Sequence, residues 1–129
     1  MSIESDMYAH LSVDGTLAPL IGTHLYPDVL PQGATLPAVV FARISTPAYN
    51  VFGTSGAIGC RPRFQYTIWC SAENEASRET ITVALRTALR AFRTAHLQSV
   101  IFENERDSHE PETGLWRRDI DALLLHDGE

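Results

Sequence analysis

Two pairs of carboxylates stand at strand spacing in the last third of the chain. Glu103 with Glu105, and Asp119 with Asp121, lie two residues apart. Because successive side chains of a β-strand point to opposite faces, each pair should share one face, and the two pairs could approach each other across a hairpin. Carboxylates are ligands that Mg²⁺ prefers, so the pattern permits a small metal-dependent hydrolase. Three arginines interleave with these acids, however, and the polar face of an ordinary antiparallel sheet has the same composition.

Other residues with catalytic potential lack the neighbours that catalysis requires. The segment GTSGA at residues 53–57 resembles the G-x-S-x-G turn that carries a nucleophilic serine, but Ala57 replaces the last glycine and no strand-turn-helix pattern surrounds Ser55. The five histidines form no i,i+4 pair and have no cysteines at ligand spacing. All ten cationic residues are arginine, which excludes a Schiff-base lysine and the lysine of a phosphate-binding P-loop. The sequence therefore predicts a protein that is not an enzyme and that binds no metal and no cofactor.

Composition and length are those of an ordinary globular protein. The 129 residues are 44% hydrophobic and 20% charged, which predicts one domain over residues 1–129. The net charge of -6 argues against general nucleic-acid binding. The longest apolar run, residues 38–42, is too short to cross a membrane, and the acidic N-terminus lacks the pattern of a signal peptide. Cys60 and Cys70 should lie roughly 30 Å apart on one strand, so we expect two free thiols, as in a reducing cytoplasm.

Charge is unevenly distributed along the chain. Residues 99–129 hold nine acids and three arginines, whereas residues 61–98 hold six arginines and three acids. Within the basic segment, Arg86, Arg90 and Arg93 recur at helical spacing. This distribution is typical of a subunit with an acidic and a basic edge that meet in self-association, and equally typical of two solvated faces.

The periodicity of the first half predicts a helix followed by strands. Apolar residues at Ile3, Met7, Tyr8 and Leu11 predict an N-terminal helix over residues 3–13. Proline and glycine then interrupt the pattern, with a short strand that begins at residue 25. Residues 37–45 form the clearest strand, and their near-continuous apolarity indicates a central position in a sheet.

A long loop is predicted over residues 46–59, TPAYNVFGTSGAIG, which contain three glycines. Loops of this length in a compact domain are usually either functional or disordered, and the aromatic residues on this one favour a contact surface. The candidate contact residues are Tyr49, Asn50, Val51, Phe52, Thr54, Ser55 and Ile58.

The second half predicts a strand, a helix and a hairpin. Residues 61–70 alternate apolar and polar side chains as a half-buried strand does, and residues 73–95 predict one long helix with a buried stripe. Residues 99–107 and 115–125 predict a final hairpin, joined by the turn-rich segment SHEPETG. The predicted fold class is therefore α+β. We expect a mostly antiparallel sheet of about four to five strands, with the long helix packed on one face and an N-terminal helix that covers an edge or a face of the sheet.

Several of these segments, taken in order, resemble a known family. They are YP at residues 26–27, LPQGA at 30–34, LPAVVF at 36–41, the glycine-rich loop, the strand at 64–69 and the helical segment VALRTAL at 83–89. Together they resemble the tail-completion proteins of siphophages, the phages with long non-contractile tails, and in particular the lambda-type tail terminators. Relatives of that group also occur in phage-derived gene-transfer particles. The resemblance covers residues 17–95, and Ala38 departs from the larger residue expected there.

The resemblance implies a structural virion protein without catalytic residues. Six copies would form a hexameric ring that caps the finished tail tube, stops its polymerisation and joins the tail to the head or neck. The implied partners are other copies of the chain, the tail tube protein and the head-tail connector or neck protein. DNA would pass through the lumen without specific binding, and no membrane is involved. The protein would be made in the cytoplasm of the host bacterium and located in the virion tail.

The polar face of the sheet has a specific role under this hypothesis. If it lines the ring, then Glu103, Glu105, Asp119 and Asp121 would make the lumen negative, and DNA phosphates would slide past without binding. Three alternatives stay open from the sequence. They are a neck or connector protein, an assembly chaperone that leaves the finished particle, and a metal-dependent hydrolase that uses the acidic hairpin.

Overall fold

The structure is a computed structural model that describes residues 3–45, 48–50, 57–60, 62–71, 77–92 and 97–127. In chain order the elements are α1 (Ile3–Ser12), α2 (Ala18–Ile21), β1 (Leu25–Pro27), β2 (Ala38–Ser45), β3 (Ala48–Asn50), β4 (Ala57–Cys60), β5 (Arg63–Cys70), α3 (Arg78–Arg90), β6 (Leu97–Glu110) and β7 (Leu115–Asp127). Within these ranges, no helix has the length and apolarity needed to cross a membrane.

The strands form one mixed sheet. Hydrogen bonds link them in the order β1-β2-β5-β7, and β7 also pairs with β6 along its other edge and with β4 near its end. The pairing of β1 with β2 is parallel, and the other five pairings are antiparallel. The predicted α+β class and its mostly antiparallel sheet are therefore confirmed.

The loop predicted over residues 46–59 is wrong in part, because strands occupy both of its ends. β3 pairs with β4, and β2 pairs with β5 as far as Ser45 and Arg63. The two pairings follow one another, so β2-β3 and β4-β5 make one long hairpin. The sequence did not predict these strands because the segment contains three glycines and a proline, and both residue types are unusual inside strands. Residues 46–47 and 51–56 lie outside the described part.

One apolar core lies between the helices and one face of the sheet. The helices contribute Met7, Leu11, Ile21, Ile81, Leu85, Ala88 and Leu89, and Phe92 follows α3. The sheet contributes Val39, Phe41, Phe64, Tyr66, Ile68, Ile120, Ala122 and Leu124. These residues alternate along each strand, as the sequence predicts. We call the opposite side of the sheet the open face. No helix within the described residues lies on it.

The helix α3 is shorter than the predicted helix over residues 73–95. It begins at Arg78 and ends at Arg90, while residues 72–76 and 93–96 lie outside the described ranges. The N–H of Ala91 lies 3.2 Å from the carbonyl oxygen of Ala88, and that of Phe92 lies 3.1 Å from the carbonyl oxygen of Leu89. These bonds between residues three apart tighten the last turn and end the helix.

The predicted final hairpin is confirmed and is longer than predicted. The strands β6 and β7 extend almost to each other and leave a turn of residues 111–114. Gly114 has a φ of 72°, which glycine adopts without the strain that a side chain would bring, and its N–H lies 2.8 Å from the carbonyl oxygen of Glu110. In the described part of the chain β6 pairs only with β7, so it is an edge strand of the sheet.

Candidate assembly surfaces

A β-bulge in β6 separates two glutamates that the sequence predicts on one face. The pairing between β6 and β7 shifts by one residue at Glu103. Glu103 reaches the open face, where it forms an ion pair with Arg63 of β5. Glu105 points to the helices, where it forms an ion pair with Arg86 of α3. The predicted common face for Glu103 and Glu105 is therefore wrong, because the inserted residue inverts the alternation of side chains.

The other predicted pair, Asp119 and Asp121, does share the open face. The Asp119 side chain is only 3% exposed although no described helix covers it. The hydroxyl of Thr67 donates a hydrogen bond to Asp119 Oδ1 at 2.8 Å, and Arg117 donates to both oxygens at 3.0 to 3.2 Å. Arg106 lies 3.9 Å from Asp119 and 3.4 Å from Asp121. Asp119 is thus buried beneath arginine side chains whose positions it helps to fix.

We call the charged residues on this side the open-face cluster. Its members are Arg63, Glu103, Arg106, Arg117, Asp119 and Asp121. Three acids face three arginines, and every acid has an arginine partner. The guanidinium carbon of Arg117 also lies 5.2 Å from the ring centre of Trp69, a stacking contact that holds the side chain over the sheet. The acids that the sequence singles out are therefore electrically balanced on this face.

A second cluster lies between the sheet and α3, with Arg118 at its centre. The Arg118 side chain is 10% exposed. It donates two hydrogen bonds to Asp107 of β6, at 2.7 and 3.1 Å, and further bonds to Glu79 and Thr82 of α3 at 2.7 and 3.1 Å. A carboxylate oxygen of Glu105 lies 3.6 Å from the same guanidinium. One buried arginine thus ties together β6, β7 and α3, and we call this group the helix-face cluster.

Hydrogen bonds set the protonation states of the helix-face cluster. The bond from Arg118 holds the pKa of Asp107 below its ordinary value, since it favours the charged carboxylate more than desolvation disfavours it. The same bond, helped by the bond to Glu79, raises the pKa of Arg118 further above its ordinary value. Both groups are therefore charged at neutral pH.

The arginines at helical spacing cover an aromatic ring. Arg86 and Arg90 lie on the outer side of α3, and the guanidinium carbon of each is 5.4 Å from the ring centre of Phe102 in β6. Arg86 is also paired with Glu105. Arg90 has no carboxylate partner among the described residues, and Arg93 lies outside them.

The predicted contact loop is described in part. Tyr49 and Asn50 belong to β3 and Ile58 to β4, and for these three residues the backbone is described. Val51, Phe52, Thr54 and Ser55 fall in residues 51–56, outside the described part. The role of this segment in contacts therefore stays a prediction.

No group of three or more His, Cys, Asp or Glu side chains within the described ranges is arranged to hold a metal ion. The carboxylates of Asp119 and Asp121, which the sequence pattern permits as magnesium ligands, are paired instead with Arg106 and Arg117. This arrangement can fix side chains and shape a surface, and it leaves the carboxylate oxygens engaged with guanidinium groups.

Comparison with known protein families assigns the chain to one of them. The family described as "Tail completion protein gp17" matches residues 5–126. The chain belongs to this family. The family resemblance drawn from the sequence is thereby confirmed, and tail completion proteins are structural components of the virion tail.

A solved structure shares the fold of this tail completion protein. It is a chain of the structure titled "Virion of native gene transfer agent (GTA) particle". The TM-score is 0.76 and the sequence identity 21%, with 98% of this chain and 96% of that chain covered. No curated protein matches the chain in sequence. At this level of identity, the likeness to the solved chain establishes the fold.

Sequence reasoning missed the centre of the helix-face cluster in this tail completion protein. Alternation along β7 places Arg118 between Trp116 and Ile120, on the side that faces the core. A buried arginine needs acidic or other polar partners. The core-facing position of Arg118 in the alternation of β7 was therefore enough to predict that such partners exist. The partners themselves, such as Thr82, could not be named without the packing of α3 on the sheet.

Proposed function

We propose that this tail completion protein is a tail terminator. Six copies close a hexameric ring on the end of the tail tube, stop tube polymerisation and join the tail to the head or neck. The observation that carries this proposal is the family match over residues 5–126. It is supported by a fold shared along almost the whole chain with a component of a gene transfer agent virion.

A ring of this kind needs two different contact surfaces on each copy, because a surface that binds its own equivalent gives a two-fold dimer instead. Two surfaces predicted from the sequence fit this requirement. The contact residues predicted between Tyr49 and Ile58 serve for docking on the tail tube protein or on a neighbouring copy. The arginines of α3 form a subunit edge, with Arg86 and Arg90 already ordered over Phe102.

The open-face cluster suits the lumen of such a ring. Affinity for DNA comes mainly from cations that neutralise phosphates. On this face Arg63, Arg106 and Arg117 are held by carboxylates, so their charge is not free to bind DNA. DNA would pass without specific binding. Glu105 does not belong to this lumen set, since it is engaged with Arg86 on the other side of the sheet.

The test is electron microscopy of a lysate in which this gene alone has been deleted. A terminator predicts tails of abnormal length beside DNA-filled heads that have no tail. A plasmid copy of the gene should restore normal tails, which provides the control. Tails of normal length that fail to join heads would instead establish a neck or connector protein, and intact infectious particles would refute both functions.

A further inference from the structure

The outer stripe of α3 combines an exposed apolar residue with two ordered cations. Val83 is 57% exposed, so its apolar side chain is available for contact. Arg86 and Arg90 follow it at helical spacing, so all three share one side of the helix. We call Val83, Arg86 and Arg90 the α3 stripe. The Phe102 ring lies beneath both guanidinium groups and holds the stripe in a defined shape.

The charge of the α3 stripe is only half compensated. Arg86 and Arg90 are like charges four residues apart, an arrangement that disfavours an isolated helix. Glu105 pairs with Arg86, whereas Arg90 meets only the Phe102 ring within the described ranges. Within the described ranges, the stripe therefore presents one positive charge without a carboxylate partner, about two helical turns from an exposed apolar side chain.

The complementary chemistry lies at the turn between β6 and β7. Glu110 and Glu112 flank Pro111 there, around a surface hollow of about 580 Å³ that Thr113 and His109 also line. The His109 ring lies against Trp116, with 4.3 Å between ring centres, which anchors the base of the turn. Glu112 is exposed and has no cationic partner in the described part of the chain. The turn is thus acidic, with a proline at its tip.

The arginines of the α3 stripe and the turn lie far apart within one molecule. Glu110 comes eight positions after Phe102 in β6, which is roughly 26 Å along the strand. Opposite charge at the two ends of one subunit is the arrangement that a head-to-tail contact between identical copies requires. A β6-to-β6 contact fits less well, since its bulge and its charged side chains are features that protect strand edges from pairing.

We infer that the β6–β7 turn of one copy docks on the α3 stripe of the next copy in the ring. Glu112 and Glu110 face Arg90 and Arg86, and Pro111 lies against Val83. This inference rests on the proposed ring, and it names the two surfaces that close it. The partner is a second copy of this chain.

Charge reversal in the complemented deletion strain tests the contact. Arg90→Glu alone and Glu112→Arg alone should each lower the number of correctly capped tails by about tenfold or more, because like charges then face each other at every contact of the ring. The double variant Arg90→Glu with Glu112→Arg should recover most of that loss. Exchange of the Arg43–Glu4 ion pair elsewhere in the molecule, Arg43→Glu with Glu4→Arg, is the matched control and should complement fully. Full complementation by both single variants, or no recovery in the double variant, would overturn the inference.

A disulfide cross-link separates this inference from the proposed function. Purified particles that carry Arg90→Cys and Glu112→Cys should give a ladder of subunit multimers on a non-reducing gel, and either cysteine variant alone should not. A ladder from the double-cysteine particles, together with tails of normal length in the separate deletion strain, would support the contact and refute termination. Abnormal tails after deletion, without a ladder, would refute the contact and leave the terminator proposal standing.

Discussion

Arg118 and Asp107 lie directly opposite each other on β7 and β6, and the guanidinium donates two hydrogen bonds to the carboxylate at 2.7 and 3.1 Å. A third bond from Arg118 reaches Glu79 of α3 at 2.7 Å. The fork-shaped guanidinium can satisfy two carboxylates at once, whereas the ammonium of lysine has no such fixed geometry. Arg118 therefore fixes the position of α3 on the final hairpin. This contact sets how the α3 stripe and the β6–β7 turn are placed relative to each other.

Removal of the Arg118 side chain should destabilise the fold. Arg118→Ala should lower the free energy of unfolding by about 2 kcal/mol, less than the loss of a fully buried pair, because Asp107 and Glu79 can turn towards water. Urea denaturation measures this as a shift in the midpoint. The matched control is Arg106→Ala, which removes a 53% exposed arginine from the open face and should cost below about 0.5 kcal/mol. Equal midpoints for the two variants would contradict the role given to Arg118.

The pair should also make stability depend on acid pH. The pKa of Asp107 is depressed in the folded state, so its contribution is fully present above its unfolded pKa of about 3.9 and is lost as pH falls through the lower folded value. Asp107→Asn removes this titration. The stability of the variant, measured by urea denaturation from pH 5 to pH 2, should therefore fall less steeply than that of the wild type. Parallel curves would mean that Asp107 has the same pKa in both states.

The sequence predicted those parts of the fold that have unbroken periodicity. Phe64 and Tyr66 alternate along β5, and Ile81 and Leu85 recur along α3, so the core could be assigned from spacing alone. The bulge at Glu103 could not be predicted, because one inserted residue within a run of polar residues does not change the hydrophobic pattern. The family could be identified for a different reason: its proline and glycine residues stand in short sequence segments, which can be recognised without knowledge of the fold. Prediction of the ion pairs of Asp119 would have required the register between β5, β6 and β7, and this register cannot be read from the pattern within any one strand.

The hydroxyl of Tyr66 should contribute little to stability at neutral pH. Tyr66 is fully buried, and its hydroxyl lies 3.5 Å from the sulfur of Met7, a weak acceptor. Tyr66→Phe should therefore change the free energy of unfolding by less than about 1 kcal/mol, whereas Tyr66→Ala should cost about 3 to 5 kcal/mol through the cavity it leaves.

Alkaline pH provides a second measurement on the same residue. Burial raises the pKa of Tyr66, so its contribution is fully present below the unfolded pKa of about 10 and is lost as pH rises above it. The wild type should lose more stability than Tyr66→Phe between pH 9 and pH 11, as measured by urea denaturation. A large loss for Tyr66→Phe already at pH 7 would show that the hydroxyl has a stronger partner.

The contact loop should be needed for tail capping but not for folding. Tyr49→Ser, Val51→Gly and Phe52→Ser together remove three of its large apolar side chains, two of them aromatic residues of the kind that anchor protein interfaces. In the deletion strain this variant should leave tails of abnormal length, while its thermal unfolding stays within a few degrees of the wild type. Val29→Ser removes a 70% exposed valine outside the loop and should cap tails normally. Normal tails with the loop variant would exclude a contact role for these residues.

The balance of charge on the open face should matter for DNA passage. Glu103→Gln with Asp121→Asn would remove the acid that pairs with Arg63 and leave Arg106 with Asp119 alone, 3.9 Å away. Arginines released in this way would bind phosphates in a lumen. Tails should keep their normal length, whereas DNA release from triggered particles, followed with a fluorescent dye, should slow. The delay should shrink at high salt, because salt screens exposed charges. Further replacement of Arg63 and Arg106 by Gln should restore the wild-type rate, since no free cation then remains from either pair. Unchanged release in the first variant at low salt would place the open face away from the path of the DNA.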